Sequence, residues 1–104
     1  MPNIGPAVWK IISELKPEDL RVRLIGRVID LKDDIMIIDD GTGTILVNNS
    51  AVNQKPLKSI VLVIGSVHQR TDGKLVVDAE IIKDFDNINF EIYLKTYDII
   101  KNYR

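Results

Sequence analysis

The sequence contains no cysteine, which excludes disulfide bonds and thiolate metal sites and favours a reducing location. Its first ten residues, MPNIGPAVWK, lack the apolar run of a signal peptide, and no segment approaches the ~18 continuous apolar residues of a membrane span. These absences together predict an intracellular protein, in the cytoplasm or the nucleoid, that has no membrane partner.

Motifs for catalysis and for cofactor binding are also absent. The single histidine, His68, has no second histidine or HExxH pattern around it, so nothing indicates a zinc site. A phosphate-binding loop, a dinucleotide glycine fingerprint and a nucleophile elbow are missing as well. Five aspartates fall between residues 30 and 40, but they lack EF-hand spacing, and turn formation explains most of them. The sequence therefore predicts a non-catalytic protein with no cofactor and no metal.

Neither sign of charge dominates, since 14 basic residues face 15 acidic ones and the net charge is −1. A protein that binds nucleic acid on its own is usually clearly basic. Aromatic residues are scarce at 6%, and Phe85 is the one aromatic residue between positions 20 and 85. Base stacking, worth ~1–3 kcal/mol per base, is therefore mostly unavailable. If the ligand is nucleic acid, we expect the isolated chain to bind it weakly and with strong salt dependence.

Strand-forming residues are what the sequence has in abundance: it is 45% hydrophobic and contains 17 isoleucines. Alternating apolar residues and turn signals predict five strands, over residues 20–31, 35–39, 44–47, 59–70 and 74–85. Gly26 interrupts the first strand and predicts a bulge or bend at which the inward face changes. Residues 50–57 form a polar loop or one helical turn. In the fifth strand, the residues predicted to point inward are Leu75, Val77, Ala79 and Ile81.

Two segments leave alternatives open. In the second strand, which is more apolar than alternation requires, Met36 and Ile38 either extend the core or face a ligand or partner. Residues 1–9 predict an extended leader, and residues 11–15 predict a lead-in that packs on the domain. Within the leader, Trp9 is either a partly buried anchor or a platform for base stacking.

Residues 88–103 predict a carboxy-terminal helix that begins after the capping pair Asp86-Asn87. At ~100° per residue this helix has two apolar faces. The first face comprises Phe90, Tyr93, Leu94, Tyr97 and Ile100. The second, almost opposite, comprises Ile92, Ile99 and Tyr103. Because one apolar stripe is enough to dock a helix on its own domain, the second predicts an interface with a partner.

The first strand and the turn after the second carry a family resemblance. Residues 22–29, VRLIGRVI, followed by residues 38–45, IDDGTGTI, resemble the pattern of the nucleic-acid-binding OB-fold superfamily, which includes replication protein A and the anticodon domains of tRNA synthetases. The resemblance implies a mainly β fold: a five-stranded OB-fold Greek-key barrel over about residues 11–85, followed by the C-terminal α-helix. The whole chain, residues 1–104, is then a single domain.

The helix narrows the resemblance. A lone barrel followed at once by one helix resembles the small and middle subunits of replication protein A and the small subunits of telomere-capping complexes. This implies a non-catalytic subunit of a single-stranded-DNA-binding complex in replication or repair. Its partner through the helix is then another OB-fold subunit or a second copy of the chain. The composition, rich in isoleucine, lysine and asparagine, favours an archaeal or thermophilic source.

Seven basic side chains are the candidate nucleic-acid-binding residues: Arg21, Arg23, Arg27, Lys58, His68, Arg70 and Lys74. The three arginines form either a phosphate-binding stripe or an ordinary solvated strand face. Arg70 and Lys74 flank the hairpin with which OB proteins often clamp a strand. Two alternative functions stay open, an RNA- or tRNA-binding module and an OB domain that binds only proteins.

Overall fold

The computed structural model describes residues 7–32, 34–48, 57–85 and 89–102. Within these ranges the elements are, in chain order, β1 (Val8–Trp9), a 3-10 helix (Ile12–Glu14), β2 (Arg21–Lys32), β3 (Ile35–Asp39), β4 (Thr44–Asn48), β5 (Ile60–Gln69), β6 (Leu75–Asp84) and α1 (Phe90–Asn102). The five predicted strands and the predicted helix are confirmed to within two residues at each end. The loop predicted over residues 50–57 lies almost wholly outside the described residues.

Five of the strands close into a barrel. The order β2-β3-β4-β6-β5 returns to β2, because β2 pairs with β3 along its second half and with β5 along its first. All neighbours are antiparallel except β4 and β6, which are parallel. This is the predicted OB-fold barrel. The sequence did not indicate β1, which is only two residues long and pairs in parallel with β2 outside the barrel.

The irregularity of β2 lies later than predicted. A Cβ at Gly26 would stand 3.1 Å from the Cβ of Ile38, so glycine here permits close packing rather than a bulge. The register with β3 shifts between Val28 and Asp30, which makes Ile29 the extra residue. The predicted change of face at Gly26 was therefore wrong in position.

A second bulge corrects the prediction for β6. Opposite Ile64 and Gly65, the register skips Glu80, and the inward face changes there. As a result Ile81, predicted to point inward, is 38% exposed, whereas Ile82 is buried at 9%. Gly65 is required on the neighbouring strand, because a Cβ there would stand 2.2 Å from the carbonyl oxygen of Asp78.

The barrel interior is filled by aliphatic side chains that include Met36 and Ile38, both fully buried. The interpretation of these two residues as core is confirmed. A smaller cluster lies between the barrel and α1, where Ile25 and Ile60 pack with Tyr93. Among the described residues, none of the helices has the length and apolar character needed to cross a bilayer.

Helix α1 begins at a cap that differs from the predicted one. The side-chain oxygen of Asn89 accepts a hydrogen bond from the amide of Ile92 at 3.2 Å, which is the geometry of an N-cap. The predicted caps, residues 86 and 87, lie outside the described residues. The helix is held on the barrel by the predicted first face, with Tyr93 and Tyr97 buried and Phe90 and Leu94 half-buried.

Candidate functional site

A groove of about 470 Å³ opens on the barrel between the 3-10 helix, the start of β4 and the β5–β6 hairpin. Its walls are formed by Ile12, Leu15, Ile37, Thr44, Ile45, Leu46, Arg70, Lys74 and Leu75. Most of these side chains are aliphatic, and the two cations belong to the hairpin. The groove therefore combines an apolar lining with positive charge on one side.

The β5–β6 hairpin presents Arg70 and Lys74 to the groove. The Arg70 amide donates to the Lys74 carbonyl at 2.7 Å, and Gly73 supplies the positive φ of +88° that this turn needs. The Asp72 carboxylate accepts from the Lys74 amide at 3.0 Å and lies 3.3 Å from the Arg70 guanidinium. The Lys74 ammonium forms no ion pair within the part of the chain that the structure describes, so its charge is available to a ligand.

The three arginines of β2 lie elsewhere. Arg21 makes a two-pronged contact with Glu80, at 2.9 to 3.1 Å. The Arg27 guanidinium donates to the Lys58 carbonyl at 3.2 Å, and its central carbon is 5.8 Å from the centre of the Phe90 ring. None of the three lines the groove.

The remaining two candidates are also separate from the groove lining. His68 Nε2 lies 3.1 Å from a carboxylate oxygen of Asp78, on a face where both side chains are more than half exposed. Lys58 stands at a turn with φ of 70°, and its amide donates to the Val28 carbonyl at 2.7 Å. The structure thus brings two of the seven predicted basic residues together on the groove and distributes the others over the barrel surface.

Asp40 is a positioning residue that the sequence indicated only as a turn former. It is buried, at 1% exposed, and one carboxylate oxygen accepts from the Ile12 amide at 2.9 Å. The other oxygen accepts from the Thr42 amide at 2.9 Å and from the Thr42 hydroxyl at 2.6 Å. These bonds fix the 3-10 helix against the β3–β4 turn and so hold one wall of the groove in place. The pattern Asp-Asp-Gly-Thr-Gly was the available signal.

Trp9 anchors α1 through contacts with two tyrosines of the helix. Its indole nitrogen donates to the Tyr93 hydroxyl at 2.9 Å, and its ring meets Tyr97 edge-on at 4.9 Å. Burial raises the pKa of Tyr93, against the opposing effect of the hydrogen bond from Trp9. The half-buried anchor predicted for this residue is confirmed.

Tyr97 ties the other end of α1 to the 3-10 helix. Its hydroxyl donates to the Glu14 carboxylate at 3.0 Å, and Lys101 forms an ion pair with the same carboxylate. Burial, followed by the hydrogen bond to Glu14, raises the pKa of Tyr97 to about 12. The hydrogen bond from Lys101 lowers the pKa of Glu14.

The second apolar face of α1 points away from the barrel. Ile92 is 61% exposed and Ile99 is 66% exposed. Ile100, predicted to dock on the barrel, is instead 54% exposed, because it lies at the border between the two faces and borders a cleft with Val8. Tyr103, the third predicted interface residue, lies outside the described residues.

The sequence matches a known family over nearly its whole length. The family model described as a telomere-capping, CST complex subunit covers residues 5–104. The chain belongs to this family. No curated protein has a matching sequence.

Solved structures share the fold at low identity. A chain of the S. pombe Stn1–Ten1 complex is 19% identical, with 98% of each chain covered and a TM-score of 0.77. Ten1 from S. pombe, a telomere capping protein, is 20% identical over 92% of this chain and 98% of that one, with a TM-score of 0.73. U. maydis replication protein A, solved with single-stranded DNA, is 16% identical over 80% and 77%, with a TM-score of 0.68. The family match confirms the resemblance to telomere-capping subunits, and the solved structures confirm a fold shared with replication protein A.

Proposed function

We propose that this chain is a non-catalytic OB-fold subunit of a complex that binds single-stranded DNA, and that the exposed face of α1 joins it to the complex. The observation that carries the proposal is the exposure of Ile92 and Ile99 on a helix that is already docked through its opposite face. The family description, a telomere-capping complex subunit, supports it. The similar S. pombe chain comes from a two-protein complex.

The energetics favour a covered helix face. Burying an isoleucine side chain contributes roughly 1.5–3 kcal/mol, so Ile92 and Ile99 together offer a substantial part of the free energy of association. Their side chains carry no hydrogen-bonding group, which suits a second helix packed along the same stripe. The partner is another OB-fold subunit, or a second copy of the chain.

The DNA contact of this chain is weak in our proposal. Arg21, Arg23, Arg27, Lys58 and His68 contribute scattered surface charge, while Arg70 and Lys74 provide the two neighbouring cations of the groove. Each neutralised phosphate makes the logarithm of the affinity fall by roughly 0.7 per tenfold rise in salt on single strands.

A family role at chromosome ends also implies a nuclear location in a eukaryotic cell.

The test of the proposal is a double substitution on the exposed helix face. Ile92→Asp/Ile99→Asp should dissociate the assembly, measured as molar mass by light scattering and as loss of an OB-fold partner that co-purifies from the source cells. The matched control is Ile29→Asp/Ile35→Asp, which makes the same change at two exposed isoleucines of the barrel. An assembly that survives the helix variant, or that only the barrel variant dissociates, would contradict the proposal.

A second candidate function is an OB domain that binds only proteins. The absence of aromatic side chains from the described lining of the groove favours it. Titration of the full chain with labelled single-stranded DNA and RNA at low salt separates the possibilities. Saturable binding of DNA supports the first proposal, a preference for RNA supports an RNA-binding module, and no binding of either supports the protein-only function.

A further inference from the structure

The lining of the groove suits aliphatic side chains better than bases. Its apolar surface comes from branched aliphatic residues, and none of the described residues that line it is aromatic. Trp9 is the aromatic residue nearest in sequence to a residue of the groove lining, but its side chain bonds to Tyr93 and packs against Tyr97. Sequence-tolerant binding of single strands depends on stacking against such rings. The groove therefore has apolar area without the platform that nucleic acid uses.

One wall of the groove includes the start of β4, at which the described part of β6 is not yet paired. Thr44, Ile45 and Leu46 line it in succession, although side chains of a strand alternate between faces. Ile45 is buried, whereas Thr44 and Leu46 lie on the opposite, outer face, so the groove reaches both faces of β4 at this point. On the edge of β4 that faces β6, pairing begins at Leu46, so Thr44 has no strand partner on that side among the residues that the structure describes.

The hydrogen-bond alternation of the β3–β4 ladder directs the Thr44 backbone to the same side. The Asp40 amide donates to the Gly43 carbonyl at 3.4 Å, which is one of the two bonds of a hydrogen-bonded pair. The next pair, Asp39 and Thr44, is then a non-hydrogen-bonded one. The N–H and C=O of Thr44 point away from β3, towards the groove, where an added strand would meet them.

The charges at the groove are complementary to carboxylates. Arg70 and Lys74 line the same groove as the start of β4, and the partial pairing of Arg70 with Asp72 leaves Lys74 as the available cation. A guanidinium and an ammonium side by side favour carboxylate groups spaced along an extended chain.

We propose that this groove binds an extended segment of another protein in which aliphatic and acidic residues alternate. The segment adds to the free edge of β4 at Thr44, with its aliphatic side chains against Leu46 and Leu75 and its carboxylates at Arg70 and Lys74. This is strand addition, in which backbone bonds give affinity and alternate side chains give specificity. The site is separate from the exposed face of α1 and does not depend on what that face binds. A bound segment occupies Arg70 and Lys74 and therefore competes with the weak DNA contact proposed for the same two cations.

The direct test uses the full chain, labelled with nitrogen-15, and a capped decapeptide of five Asp-Leu repeats. We expect saturable NMR shift changes at Thr44, Leu46 and Leu75. The decapeptide of five Lys-Leu repeats, with the same aliphatic content, should give none. A ten-nucleotide oligothymidine that shifts the same amides at lower concentration than the acidic peptide would overturn the proposal in favour of nucleic acid. Absence of shifts with the acidic peptide would also overturn it.

Two further measurements check the geometry. Arg70→Glu/Lys74→Glu should lower the affinity for the acidic peptide at least ten-fold. Lys83→Glu/Lys95→Glu, with the same change of net charge outside the groove, should alter it less than two-fold.

An acidic peptide methylated on alternate backbone nitrogens needs no protein variant and should lose binding at least ten-fold in one of its two methylation registers. Equal effects of the two charge variants, or full binding in both registers, would reject strand addition at this groove.

Discussion

The groove and the exposed face of α1 are both apolar, yet they differ in what they offer a partner. Beside its aliphatic walls the groove carries two cations and, at Thr44, a strand edge that has no partner on the β6 side within the described ranges. The helix face offers Ile92 and Ile99, whose side chains carry no polar group. The helix face suits a permanent neighbour, because only burial of area stabilises it. The groove suits a ligand that exchanges, because its polar groups remain solvated when it is empty.

The two surfaces are also supported differently. The groove depends on Asp40, one buried carboxylate that fixes a wall through the Ile12 amide. The helix depends on several contacts of moderate strength, with Trp9, Tyr93 and Tyr97 packed together and Tyr97 bonded to Glu14. A single substitution should therefore damage the groove more than it damages the helix face.

The largest effect should follow from Asp40→Ala. The variant leaves the Ile12 amide and the Thr42 amide and hydroxyl without their acceptor, and a buried donor that loses its partner costs ~1–3 kcal/mol. We expect a loss of about 2–3 kcal/mol in the free energy of unfolding, measured with urea. Binding of the acidic decapeptide should fall, while assembly through α1 should persist.

The matched control for this variant is Asp39→Ala, which removes one hydrogen bond, accepted from the Gly41 amide at 2.7 Å. It should cost less than half as much. If the two variants were equally stable, or if Asp40→Ala dissociated the assembly while peptide binding survived, the proposed difference between the two surfaces would be wrong.

Tyr97→Phe should have a smaller effect that is confined to the helix. Loss of the bond to Glu14 should cost ~1 kcal/mol at neutral pH. The pKa of Tyr97 is about 12 in the folded protein and near 10 in the unfolded chain, so between pH 10 and 12 the unfolded state releases a proton that the folded state retains. Stability from this group is therefore complete below pH 10 and is lost as the pH rises towards 12.

Urea denaturation from pH 8 to pH 11 measures this difference. The wild-type protein should lose more stability than Tyr97→Phe over that range. Tyr93→Phe is the comparison: it retains the Tyr97 hydroxyl, but burial raises the pKa of Tyr93 as well, so it should reduce the alkaline loss of stability less than Tyr97→Phe does. Parallel pH profiles for wild type and Tyr97→Phe would show that the contact with Glu14 does not hold the helix.

Local sequence predicted the barrel but not its bulges. Alternation and turn residues such as Gly41 and Gly73 act within a few positions, so they are readable from one strand at a time. The extra residue is Ile29 in β2 and Glu80 in β6. Its position in each strand depends on the partner strand and on close approaches such as that of Gly65 to Asp78. The face of a bulged strand therefore could not be assigned from its own sequence.

The candidate site was predictable in part for the same reason. The hairpin signal identified Arg70 and Lys74, because Asp-Gly marks a tight turn wherever it occurs. Residues 35–38 are all apolar, so the sequence could not indicate that Ile37 rather than Met36 faces outward to the groove. The strand edge at Thr44 arises because β4 pairs in parallel with β6 only from Leu46 onwards. The two strands are distant in the sequence, so their register is set when the barrel closes and is not readable from either strand.

The smallest effect should come from Lys101→Met, which tests the link between the two surfaces. Glu14 belongs to the 3-10 helix that walls the groove, and the hydrogen bond from Lys101 lowers its pKa. Stability from a lowered carboxyl pKa is present above the unfolded value and is lost as the pH falls through the folded one. The pair is partly exposed, so we expect it to contribute only ~0.5 kcal/mol at pH 7, with the difference between wild type and variant shrinking as the pH falls below the ordinary glutamate pKa of 4.5.

The control for that experiment is Lys95→Met, which removes a more exposed ion pair with Glu91 on the same helix. Neither variant should change the affinity for the acidic decapeptide more than two-fold, because Asp40 and not Glu14 fixes the groove wall. A larger loss of peptide binding in Lys101→Met alone would mean that α1 and the groove are coupled through the 3-10 helix. Binding of a partner to the helix would then alter the affinity of the groove, and the two surfaces would act as one site.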